Sequence, residues 1–428
     1  MSATTTPSVD ATRHRAVPRR VIPRAVLGIA LAAAALAQPP QAKLTQAEAE
    51  AAVTAVVPEL QAICGFAFRE RVPVTVIDDR KAREYALARF RRLTPEAKIR
   101  ADQSAFRLLG LIPPDLDVLK TLLDVLEEQA GGYYDPGTKS FYLLADMPKE
   151  MTALLTAHEM THALEDQRYD IDGRLAKVID DDDASFALSA LVEGSATIAA
   201  AVYVAKGVAS GKLDPDRIGG MGQAVPTERL NAMPEVMRRQ LLGPYVLGMT
   251  FLVRGRVEKL QEGFPKGGVD AAWARPPQSS EQILHPEKYW DPARRDDPKR
   301  VAIPNPSRVL GKGFTRAGSG VLGELVLGSL VGAKTPEPAE LASGLVPWTN
   351  AAASGWAGDR YELWTSGDAA VLLLETVWDT ENDAAEFAAA LPRDRSAFAF
   401  RRAGVRVGIV AGAPRDRCPA LLSLLVKR

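Results

Sequence analysis

His158-Glu159-Met160-Thr161-His162 is the part of this chain whose residue types and spacing could do chemistry. On a helix, residues four apart share a face, so both imidazoles can direct a ring nitrogen at one cation. Glu159 lies one position round, where its carboxylate reaches a metal-bound water without taking a coordination site. Two neutral imidazoles as ligands and a carboxylate as general base suit zinc-assisted hydrolysis. The flanking residues predict a helix over 147–167, with Asp146 as its cap, Pro148 in its first turn and no glycine inside. Met151, Leu154, Leu155, His158 and His162 recur at helical spacing, so the histidines share the apolar, inward face. Two inward histidines beside a glutamate would be costly to bury without a cation.

Catalytic zinc usually takes a third protein ligand and keeps its fourth position for water. Glu193 is the best candidate. It sits in a helical stretch over 184–204, preceded by Asp180 to Asp183, which suit a helix N-terminus. The inner face of that stretch holds Phe186, Leu188, Ala190, Leu191, Ile198 and Val202, and a glutamate among them calls for a partner. Asp166 and Asp170 are rival ligands just after the motif. Asp166, four residues past His162, is better placed as an acceptor for an imidazole N–H.

Ala157-His-Glu-Met-Thr-His-Ala-Leu-Glu-Asp-Gln167 and, 31 residues after His162, Glu193 within Val192-Glu-Gly-Ser-Ala196 resemble the gluzincins, the branch of zinc metallopeptidases that includes thermolysin. With Ser280-Glu-Gln-Ile-Leu-His-Pro-Glu-Lys-Tyr289, these strings also resemble a poorly characterised group of secreted bacterial zincin-like proteins. The resemblance covers about residues 60 to 300. It implies His158, His162 and Glu193 as ligands of Zn2+, Glu159 as base and a peptide or protein as substrate. Thr197 departs from the pattern, since thermolysin-type enzymes usually carry an aspartate four residues after the glutamate ligand. The glycine-x-methionine-glutamate-asparagine string of one aminopeptidase family is absent.

Upstream, Gly131 to Leu144 places Asp135-Pro136-Gly137 between two aromatic runs and reads as a hairpin. Zincins carry a sheet edge just before the metal helix, which implies that Tyr142, Leu143 and Leu144 bind substrate by strand addition. An ordinary hairpin packing its tyrosines on the core reads equally well. The carbonyl oxygen that turns negative in the transition state needs a donor, and family members use a histidine or tyrosine from a later segment. His285 is the expected donor, with Tyr289 and Tyr245 as alternatives.

The 428 residues are 46% hydrophobic and 25% charged, a globular composition with room for more than one domain. The formal charge is zero and no basic cluster lies beyond the N-terminus, which argues against a nucleic-acid partner. Five arginines from Arg13 to Arg24 precede an apolar run, Ala25 to Ala37, that is short for a spanning helix. Residues 1–37 therefore read as a signal peptide cleaved after Ala37, with an uncleaved anchor as the alternative. A secreted or periplasmic location follows, without a stable membrane span after cleavage. Cys64 and Cys418, the only cysteines, could pair in an exported chain.

The expected architecture is α+β. A mainly helical zincin-like domain with a small edge-strand sheet occupies 38–300, and a smaller α+β domain occupies 310–428. Strands over 361–365, 370–378, 397–402 and 405–410, with helices over 381–391 and 415–425, give the second domain the order β-β-α-β-β-α. The region before the hairpin is either a non-catalytic lobe or a removable pro-segment. Two functions fit the chain: an exported zinc peptidase, or a zincin-fold zinc-binding protein without catalysis that acts in binding or assembly.

Overall fold

Thr45 opens the first helix, α1 (Gln46–Cys64), with a reciprocal cap: its hydroxyl accepts from Glu48 N, and Glu48 Oε2 accepts from Thr45 N. The structure, a computed structural model, describes residues 43–93, 95–129, 131–147, 149–216, 228–337, 340, 347–393, 395 and 397–426. The signal peptide read over 1–37, and Pro148, lie outside the described residues. After α1 come β1 (Val74–Ile77) and the helices α2 (Asp79–Leu93), α3 (Glu96–Leu108) and α4 (Val118–Gln129). The predicted hairpin follows as β2 (Gly132–Asp135) and β3 (Ser140–Leu144). Then come α5 (Lys149–Tyr169), α6 (Ile171–Lys177), α7 (Asp182–Ala209) and, after a short helix Glu228–Ala232, α8 (Glu235–Leu252). Asp181 caps α7 by accepting from Ala184 N.

The second half opens with short helices, among them Lys266–Ala274, Ser280–Leu284 and Glu287–Trp290. Its sheet strands are β4 (Thr315–Gly320), β5 (Trp356–Ser366), β6 (Ala369–Trp378), β7 (Phe398–Ala403) and β8 (Arg406–Ala411). They pair antiparallel in the order β4-β5-β6-β8-β7. Helices α9 (Gly323–Leu330), α10 (Glu381–Ala390) and α11 (Cys418–Leu425) accompany them. The order β-β-α-β-β-α read from sequence runs from β5 to α11, with β4 and α9 ahead of it. The chain is α+β.

Alternation decides which core each strand residue joins. Leu372, Leu374 and Ile409 face a large core built with α7, α8 and α9, while Val371, Leu373 and Val410 face a smaller one under α11. Burial on both faces explains why β6 reads as a continuous apolar run. The large core also holds Leu191, Phe251, Trp273 and Leu327, so it crosses the stretch between residues 300 and 310. A separate core gathers α1, α5 and the first sheet around Leu60, Phe141, Leu143 and Met160. Helix α7, with 28 residues, is long and apolar enough to cross a bilayer, yet 83% of its most apolar window is buried within the protein. Cys64 and Cys418 are buried, unpaired and in different cores.

One expectation is corrected here. The first sheet has the order β1-β3-β2, so Tyr142, Leu143 and Leu144 lie on the central strand and not on an edge. They pair in parallel with Thr75, Val76 and Ile77, and on the other side Tyr142 and Leu143 pair with Tyr133 and Gly132 of β2. A strand paired on both sides has no main-chain row left for a substrate.

Candidate metal centre

Helix α5 presents His158, Glu159 and His162, and all three are buried: 5%, 8% and 8% exposed. Glu193 faces them from α7. His158 Nε2 lies 3.2 Å from Glu193 Oε2 and His162 Nε2 lies 3.3 Å from the same oxygen. The two imidazole Nε2 atoms are 3.2 Å apart. Ligands at about 2.0–2.1 Å from a tetrahedral zinc lie about 3.3–3.4 Å from one another. The three atoms therefore form one face of such a tetrahedron, and the residues fit the metal. Burial alone would raise the Glu193 carboxyl, but the two imidazoles outweigh it and hold the group well below the usual carboxylate range. The Glu193 side chain keeps 24% of its exposure, so the centre opens on that side.

Glu159 has a ligand-type oxygen within 4.8 Å of the imidazole nitrogens, and its Oε2 accepts a hydrogen bond from Tyr134 N at 2.7 Å. Tyr134 belongs to β2. Its N–H points away from β3, so the outer main-chain row of β2 faces the centre. A third wall comes from α8, where the Tyr245 ring stacks on His158 with centroids 6.0 Å apart and planes at 26°. Two glycines let α8 approach: a Cβ on Gly194 would run into the backbone of Gly248, and one on Gly248 would strike the Ala190 carbonyl.

These contacts change the roles expected of several residues, beginning with Asp166. It does not reach an imidazole; it accepts from Tyr134 Oη and Lys139 Nζ, both at 2.7 Å, and from Ile171 N at 3.0 Å. Asp166 thus ties the hairpin to the end of α5. His158 Nδ1 and His162 Nδ1 have no protein hydrogen-bond partner among the described residues. Asp170 is not a ligand either: it caps α6 by accepting from Gly173 N at 3.2 Å.

His285 stands in another cluster. Its Nε2 lies 3.0 Å from Glu324 Oε1, whose carboxylate is fully buried and also accepts from Thr349 Oγ1. Tyr289 donates its hydroxyl to the Arg275 carbonyl. The string Ser280–Tyr289 therefore docks the second sheet and does not reach toward the imidazole pair. Ser280 Oγ accepts from Leu325 N, and Lys288 Nζ joins Glu281, Asp296 and Asp379. Those three carboxylates converge as a metal site would, but the ammonium among them already supplies the cation. Of the three donor candidates, Tyr245 is the one brought to the centre.

Two participants escaped the sequence reading. The Tyr134 amide is main chain, which no residue type announces. Glu165, buried to 1% exposure, accepts from Ser195 Oγ across the α5–α7 contact; a carboxylate three positions after His162 on the inward face was its only signal.

Residues 308–421 match a family described as a domain of unknown function, DUF8575. No curated protein matches the chain. A crystal structure from Chloroflexus aurantiacus, described as a "putative hydrolase with a novel fold", is similar at 20% identity and a TM-score of 0.39, covering 65% of this chain and 99% of that one. Similarity at that level fixes no chemistry, and the centre has to be read from its own residues.

Proposed function

We propose that the chain is an exported zinc-dependent peptidase. The observation that carries this reading is the triangle of His158 Nε2, His162 Nε2 and Glu193 Oε2, with the Glu159 carboxylate beside it. Those three residues would hold zinc, which when bound polarises a carbonyl and acidifies water. The remaining work falls to the chain. Glu159, oriented by the Tyr134 amide, takes a proton from the attacking water and returns it to the departing amine. Tyr245 is assigned the hydrogen bond to the developing oxyanion, because it is the tyrosine placed against a ligand. Tyr142–Leu144, paired on both sides, offer a peptide no main-chain row. Export rests on the N-terminal arginines and the apolar run after them.

The test is a chelator-sensitive assay on a mixed peptide library, run beside elemental analysis. The unaltered protein should hold one zinc and cut peptides, with activity lost to chelator and restored by zinc. Stoichiometric zinc without cleavage would leave the non-catalytic zinc-binding reading in its place. Absence of zinc from protein purified without chelator, and after zinc is added back, would remove both.

A further inference from the structure

We infer that Glu165 and Ser195 form a clasp that sets the spacing of the two ligand-bearing helices, and through it the affinity of the centre for its metal; this rests on the metal reading above. Glu165 follows His162 by three residues on α5, and Ser195 follows Glu193 by two on α7. Ser195 Oγ donates to Glu165 Oε1, and Ser195 and Glu165 are 0% and 1% exposed. The bond therefore joins the two helices within three residues of a ligand on α5 and two of the ligand on α7. Small apolar residues of both helices share one core, with Ala163 on α5 and Ala199 and Ala200 on α7, all fully buried. Such surfaces attract without direction and can slide. A buried hydrogen bond has a direction and a length, so it fixes one register. The ligand triangle is sensitive to that register, because two of its corners ride on α5 and the third on α7.

Glu165 also looks unlike an ion-pair member. Among the described residues no base pairs with it; burial pushes its carboxyl up to about 8, against the Ser195 hydroxyl and the Trp273 indole, which favour the charged form. The Ser195 hydroxyl needs only one acceptor oxygen at this place, which a carboxyl or an amide supplies alike. The clasp acts by holding distance and not by adding charge to the metal site, so an uncharged group of the same shape should serve. Glu165 and Ser195 are positioning residues and touch no substrate.

The experiment measures zinc affinity of the full-length protein by competition with a chromophoric chelator, and the visible spectrum of the cobalt-substituted form. Glu165→Ala and Ser195→Ala should each weaken zinc binding by roughly 10–100-fold, the range for residues that support ligands from behind. The double variant should bind no worse than the weaker single one, because both remove the same bond. Glu165→Gln should stay close to the unaltered protein. The cobalt bands of Glu165→Ala should move toward those of Glu193→Ala, a signature that general loss of stability does not produce. Ser195→Ala removes one buried oxygen and keeps the fold testable if Glu165→Ala does not accumulate. Unchanged affinity and spectrum in both alanine variants, additive losses in the double variant, or a loss in Glu165→Gln equal to that in Glu165→Ala would each overturn the clasp. If the unaltered protein itself binds no zinc, the metal reading falls first.

Discussion

At the scale of single residues, the proposed reading assigns Glu159 and Tyr245 different duties, and they should fail differently. Glu159→Gln keeps the shape and the Tyr134 contact but removes the base, so zinc content should hold while peptide hydrolysis disappears; hydrolysis at the original rate would show the base to be another group. Tyr245→Phe keeps the ring that stacks on His158 and loses the hydroxyl alone. Removal of one oxyanion donor costs about 10²–10³ in kcat, and zinc content and KM should barely move. His285→Ala should do the reverse: hydrolysis preserved, stability lowered. Its imidazole partners the buried Glu324 carboxylate, and stranding such a group costs about 1–3 kcal/mol. A denaturation midpoint equal to that of the unaltered protein would argue against this docking role. Sequence could find the histidine pair because helical spacing alone puts both on one face. Glu193 was visible as a charge on an apolar face. His285 attracted attention by its rarity, and its true partner, 39 residues away, has no local signature.

At the scale of elements, the centre depends on how closely α7 and α8 pack. Gly194 and Gly248 meet backbone to backbone, and no side chain fits between them. Gly248→Ala should force the helices apart, with an overpacking cost of about 1–3 kcal/mol. Because Tyr245 lies on the same helix, three residues before Gly248, kcat should fall in the same variant without loss of zinc. Chemical denaturation and single-substrate kinetics on one preparation check both effects; an unaltered midpoint would show that the helices have room. The elements themselves were legible. The aspartates before α7 are where their side chains predict, and the strands of the second sheet follow from β-prone runs between turns. Strand neighbours were not legible. Alternation within β3 tells which face Phe141 buries, but β1, more than 60 residues earlier, takes the flank that would have been an edge. Nothing in Val74–Ile77 marks that pairing, so Tyr142–Leu144 read as an edge where the fold has a central strand.

At the scale of the whole molecule, the second sheet is docked through buried acids, and this gives stability an unusual pH dependence. Burial outweighs the Lys288 ammonium beside Glu281 and raises that carboxyl to about 8; it raises Asp359 to about 6 and Asp183 well above the ordinary carboxylate value. These groups lie where α7, the Ser280–Leu284 helix, α9 and β5 meet: Asp183 accepts from Ser280 N, and Asp359 from Leu322 N and Gly323 N. In the unfolded chain such carboxyls titrate at about 4, so between that value and about 8 the folded state holds more protons than the unfolded one. Stability must then fall as pH rises through the window. His285 acts in the same direction. Burial would lower it, but Glu324 raises it, so its contribution is complete below its unfolded value and is lost as pH climbs through the folded one. On the proposed reading, metal binding would add the opposite dependence, because acid competes with a metal for its ligands. Zinc-free protein separates the two. Its melting temperature should be higher at about pH 5.5 than at about pH 8.5 at constant ionic strength, and Glu281→Gln should flatten that difference. A melting temperature that rises over the same interval would mean that these acids are charged and compensated in the fold, and that the junction is held by ion pairs such as Lys288 with Asp379 and not by protonated carboxyls.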